Sequence, residues 1–218
     1  MNQDQFLAKY MKYINKLDGL LILVGLFLLW IFRIDIMVIV SSIFTIIYLI
    51  LTKRINLFKH YLVSVAIGSI WFFIVRNQYG YNQDLLVVAN LNIFPLIAWT
   101  LGLFMAYMLY REFTFRKGIK GFRKKFIIFS ALYVFSLIIM ETIAYHTFMI
   151  QNIATSAYPG LPICNCIHAP LWMQIGYLSL GSVYFLVFYA LGLENPNQKS
   201  ILEKAVAYVK KKFRKITA

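Results

Sequence analysis

The sequence predicts an all-α fold: a polytopic membrane bundle of six transmembrane helices, both termini cytoplasmic, with amphipathic surface helices at both ends. Three observations predict it. Of 218 residues, 61% are hydrophobic and 14% charged, against roughly half and a quarter in soluble domains. The apolar residues come in runs long enough to cross a bilayer. Lysine and arginine cluster at the N-terminus, at 53–59, at 111–125 and at the C-terminus, while 33–35, 76–84 and 146–169 hold only Arg33 and Arg76. With six spans, every basic segment falls on one side. The positive-inside rule makes that side the cytoplasm of a cell bounded by its plasma membrane. The net charge of +14 is then explained by orientation, and no nucleic-acid partner is expected.

Residues 4–17 place Phe6, Tyr10, Tyr13 and Leu17 at helical spacing beside Lys9, Lys12 and Lys16, which predicts a helix on the membrane surface. No small-residue cleavage site follows the first apolar run, so that run is expected to remain as an anchor. The spans are expected at Gly19–Phe32, Ile36–Leu51, His60–Val75, a stretch opening near Pro95 and reaching Tyr110, Phe126–Tyr145, and Pro170–Leu193. Residues 85–94, with Asn90 and Asn92, read as a re-entrant or surface piece, because proline suits the first turn of the helix that follows. The basic connection 111–125 is a candidate docking face for a cytoplasmic partner or a second copy of the chain. Residues 1–197 form the transmembrane domain, and 198–218 a polybasic amphipathic tail helix for anionic lipid. Pro95-Leu96 and Pro170-Leu171 each open a span, which also fits a duplicated hairpin.

The chemistry concentrates in 141–172, expected to face outward. Glu141 is the one acid set well inside an apolar run. Acids at membrane depth are costly and usually functional. Such a group suits a general acid. Thr100, Tyr107 and Tyr177 are candidate hydrogen-bond partners if its role is structural. Tyr145 shares its helix face at i+4, and His146 joins it only if the helix ends between them. Cys164, Cys166 and His168 alternate, so in extended chain they point one way. That set suits zinc or copper(I); it also fits a redox pair, or two packed thiols in a loop. Asn165 and His168 are candidate caps for the helix after Pro170, and Asn92 lies near the start of the Pro95 helix. Two helix N-termini facing outward would favour a polar headgroup or anion, with Asn92, Trp99, Trp172 and Tyr177 as binding residues. Trp71, Trp99 and Trp172 otherwise read as an interfacial belt.

Glu141-Thr-Ile-Ala-Tyr-His-Thr, then Tyr158-Pro-Gly-Leu-Pro, then Ala169-Pro-Leu-Trp-Met-Gln-Ile-Gly-Tyr resemble the integral-membrane carotenoid cyclases and hydratases over residues 141–190. The resemblance implies an acid that protonates a hydrophobic polyene. The chain departs from that pattern at Pro95-Leu96-Ile97, which lacks a carboxylate, and in the Cys-x-Cys-x-His insertion. The leading expectation is a membrane-embedded enzyme acting on a lipid or isoprenoid, with Glu141 as general acid and Tyr145 or His146 tuning or relaying the proton. The alternatives are a membrane subunit that binds or transports a small hydrophobic molecule, and an outward-facing metal- or thiol-handling protein using Cys164, Cys166 and His168.

Overall fold

The computed structural model describes residues 33–83 and 85–194. The expected surface helix 4–17, the first span Gly19–Phe32 and the tail helix from Gln198 lie outside them. Among the described residues, five helices are long and apolar enough to cross a membrane. They are α1 (Ile34–Leu51), α2 (Ile55–Val75), α3 (Phe94–Lys117), α4 (Phe122–Thr142) and α5 (Leu171–Ala190). Successive helices run antiparallel. Helix α3 packs on α2, α4 and α1, and α5 closes the bundle against α4 and α2.

The α1–α2 and α3–α4 links are short and leave one end of the bundle basic. The opposite end is built up with irregular structure. A 3₁₀ turn (Arg76–Gln78) follows α2, and a small hairpin pairs β1 (Val87–Val88) with β2 (Leu91–Asn92) just before α3. That hairpin is the surface piece expected before Pro95, which sits in the first turn of α3. A π turn (Ile143–Thr147) continues α4, and the loop to α5 is fastened to the first connection. There Tyr81 bridges Asn152, Gly80 N donates to Asn152 Oδ1 at 3.1 Å, and Asn82 Nδ2 donates to Met149 O at 2.9 Å.

The basic segment expected as a connection is mostly helix. Nothing breaks α3 before Gly118, which ends it in the left-handed region at φ 60°. Arg116 supports the extension by pairing with Glu112 one turn back at 2.6 Å. Among the described residues, two acids besides Glu141 thus fall within helices. Glu112 is paired as described, and Asp35, buried in the first turn of α1, is held by Arg33 at 2.8 Å.

Close packing depends on two glycines of α5. A Cβ on Gly176 would stand 2.2 Å from the Trp71 ring, and one on Gly181 would stand 2.2 Å from Cγ of Tyr133. Small residues let aromatic side chains lie directly on the helix backbone, the usual way membrane helices approach one another.

Candidate functional site

Glu141 occupies the last turn of α4, where it is half-buried. Its neighbours Met140 and Ile143 are 43% and 36% exposed, so this turn borders the lipid-facing surface. Glu141 has no hydrogen-bond partner and no opposite charge among the described residues. None of the expected partners reaches it. Thr100 donates to Leu96 O within its own helix, Tyr107 lies toward the basic end stacked on His60, and Tyr177 donates to Tyr79.

The carboxyl instead lies within electrostatic reach of Tyr79, Tyr81, Tyr133 and Tyr177. These belong to one buried aromatic cluster. Trp99 Nε1 donates to Tyr79 Oη at 2.8 Å, and Tyr177 Oη donates to the same oxygen at 3.2 Å. Tyr133 Oη donates to the Tyr177 carbonyl at 2.7 Å. The Trp99 and Trp71 rings lie 4.7 and 5.6 Å from Tyr177. Burial pushes the Tyr79 and Tyr81 phenols above their ordinary range, so both stay neutral.

This corrects the expected aromatic belt. Trp71 and Trp99 are each 8% exposed and face the bundle interior; only Trp172, at 50%, reaches the surface, its ring 6.4 Å from Trp71. The arrangement brings Trp99, Trp172 and Tyr177 together through Trp71. Asn92 is spent locally, its Oδ1 accepting from Phe94 N at 3.2 Å at the start of α3.

Past Glu141 the chain unwinds through the π turn that carries Tyr145 and His146. The Tyr145 ring stacks on His168 at 5.0 Å and meets His146 edge-on at 5.0 Å. His146 Nε2 lies 2.9 Å from Cys164 O. His168 directs Nδ1 to Tyr158 O at 2.9 Å and Nε2 to Asn165 O at 3.3 Å.

The metal reading does not fit this geometry. Cys164 and Cys166 are joined in a disulfide, so neither sulfur is a thiolate ligand. Both His168 nitrogens face carbonyl oxygens, and no cluster of three or more His, Cys, Asp or Glu among the described residues is placed to hold a metal. The expected caps of α5 differ as well, since no side chain caps Pro170. Gln174 in the first turn anchors the loop instead, donating to Pro159 O at 2.8 Å and Ala169 O at 2.9 Å.

The residues missed by sequence reasoning are Tyr79, Tyr81 and Tyr133 around Glu141, and a second polar group near the basic end. There His60, fully buried, places Nε2 3.3 Å from Leu193 O. Glu194 Oε1 accepts from both Tyr110 Oη and Lys125 Nζ at 2.7 Å. The available signal was charge: His60 opens an apolar run and Glu194 closes one, but nothing in the sequence pairs segments 133 residues apart. No protein-family model matches the chain, and no curated protein or solved structure matches it. The likeness of 141–190 to carotenoid cyclases rests on the residues quoted for it alone.

Proposed function

We propose that this protein is an integral membrane enzyme that moves a proton onto and off an unsaturated lipid or isoprenoid, with Glu141 as the acid. One observation carries the reading: a carboxyl without any partner beside a buried tyrosine–tryptophan cluster, on a turn that borders lipid. Keeping an ionised acid at the bilayer centre costs about 2.5–3.5 kcal/mol, and less in the last turn of a span. A structural acid would offset that cost with a hydrogen bond or cation, as Asp35, Glu112 and Glu194 do. Glu141 does not. Protonating an alkene carbon leaves a carbocation and a carboxylate. The rings of Trp99 and Tyr177 offer negative π density to such a cation. Loss of a proton from a neighbouring carbon back to the carboxylate then completes an isomerisation or cyclisation with no co-reactant consumed. In this reading Tyr145 and His146, on the turn that continues α4, exchange that proton with the aqueous side. The site faces outward in this reading, and both termini are cytoplasmic.

Mass spectrometry of lipid extracts tests it. Cells expressing the wild-type chain should contain lipid or isoprenoid species that control cells lack. Glu141→Gln keeps the size and hydrogen-bonding capacity but cannot deliver a proton, so it should abolish those species at unchanged protein level and melting temperature. Identical extracts from wild-type and control cells, or an active Gln variant, would overturn the acid role and leave the binding or transport reading, which needs no new lipid species.

A further inference from the structure

We propose that the Cys164–Cys166 bridge is a thiol–disulfide exchange site on the loop end of the bundle, with Cys164 as the attacked sulfur and Cys166 as the leaving and resolving one. The reading is independent of the chemistry assigned to Glu141.

The bridge closes across a single residue, a ring too small for relaxed backbone. The chain on either side of Cys166 takes up the difference. Asn165 sits at φ 45° and Ile167 at φ 53°. Asparagine tolerates the left-handed region, but for a β-branched residue it is a genuine outlier. Backbone held this way persists only where its surroundings enforce it, and it concentrates at functional sites. The surroundings here are a tight turn in which Leu161 N donates to Cys166 O and Asn165 N donates to Leu161 O, both at 2.8 Å. A bridge that only braced the loop would gain little, because it encloses almost no chain whose entropy it could restrict.

The two sulfurs are unequal. Cys166 is completely buried, whereas Cys164 is partly exposed, beside Ile163, which is 82% exposed. An incoming thiolate therefore reaches Cys164. Cys164 Sγ also has a donor suited to a thiolate, since Cys166 N donates to it at 3.3 Å, and a donor of this kind favours Cys164 as the attacking or released thiolate. Thr142 Oγ1 lies 4.0 Å from Cys166 Sγ but gives its proton to Ile138 O at 2.6 Å. In the first step an external thiolate forms a bond to Cys164 Sγ, the Cys164–Cys166 bond breaks, and Cys166 takes a proton. In the second, another external thiol attacks the external sulfur of the mixed disulfide and releases Cys164 as a thiol. Two external thiols become one disulfide, and the loop bridge becomes two thiols.

Full-length protein in native membranes, with reduced and oxidised glutathione as the probe, tests this by alkylation and mass spectrometry. The wild-type bridge should open in reduced glutathione without loss of the folded state and close again in oxidised glutathione. Given oxidised glutathione, Cys166→Ser should accumulate a mixed disulfide at Cys164, while Cys164→Ser should react at Cys166 roughly tenfold more slowly or not at all. Glu141→Gln should exchange like the wild type, which separates this result from the fate of the proton-transfer reading. Two free thiols in protein isolated without reductant, a bridge that opens only on unfolding, or equal trapping in the two serine variants would each overturn the proposal.

Discussion

At the scale of single residues, the site depends on one phenol. Tyr79 Oη accepts hydrogen bonds from Trp99 on α3 and Tyr177 on α5, so it ties two helices to the connection after α2. Tyr79→Phe would keep the ring contacts and strand both donors. A stranded buried donor costs about 1–3 kcal/mol, while interhelical hydrogen bonds in membranes average about 0.6 kcal/mol. The higher range applies to Trp99, which is only 8% exposed. A lower melting temperature is expected in detergent, by about 2–4 °C per kcal/mol lost; an unchanged one would show that Trp99 finds another acceptor. Glu141 itself was legible, because an acid in an apolar run stands out at once. Its surroundings were not. Tyr79 sits beside Gly80 in a segment that reads as an exposed polar loop, yet it is 8% exposed. Burial there comes from the fastening of Gly80, Asn82 and Gln83 to residues 148–152 across the chain. No local pattern announces those bonds.

At the scale of elements, the five described apolar helices were legible because apolar length and Gly or Pro punctuation are local signals. Helix α3 opens at Pro95, and the ends of α1 and α2 match the expected Leu51 and Val75. The faces of those helices were not legible. In lipid, hydrophobicity does not distinguish inside from outside, so Trp71 and Trp99 read equally well as belt or core. The glycines decide the packing, and they permit a sharp comparison. Gly181→Ala would gain up to about 1 kcal/mol of helix propensity. The added Cβ would meet Tyr133 at Cγ, 2.2 Å away, and at Cβ, 2.8 Å away, atoms that a rotamer change barely moves. Overpacking of about 1–3 kcal/mol therefore prevails, and the variant should melt lower. Gly102→Ala, on a face where an added Cβ meets nothing within 4 Å, should melt at or above the wild-type temperature. Equal shifts in the two variants would mean that α5 does not pack on Tyr133 as described.

At the scale of the whole molecule, two asymmetries govern how the protein sits. The flanks of the bundle expose apolar side chains, among them Ile36, Ile43, Phe44, Ile47, Phe73 and Phe135, each about half exposed or more, a surface compatible with lipid contact. The ends differ in charge. Lys53, Arg54, Lys117, Lys120, Lys124 and Lys125 stand at the end joined by short links, whereas the end holding Glu141, Tyr79 and the Cys164–Cys166 bridge has Arg33 and Arg76. A charge bias on short connections sets orientation, and by that rule the basic end is expected in the cytoplasm. The antiparallel order of α1 to α5 makes this a statement about every connection at once, so two positions suffice to test it. Ala157 and Lys120 are exposed at opposite ends. In a chain with both native cysteines replaced by serine, Ala157→Cys should react with an impermeant maleimide on intact cells. Lys120→Cys should react only after permeabilisation. The reverse pattern would put the Glu141 site in the cytoplasm, where a reducing thiol pool would keep the loop bridge open. Labelling of both positions on intact cells would contradict a single orientation, and with it the inference from loop charge to topology.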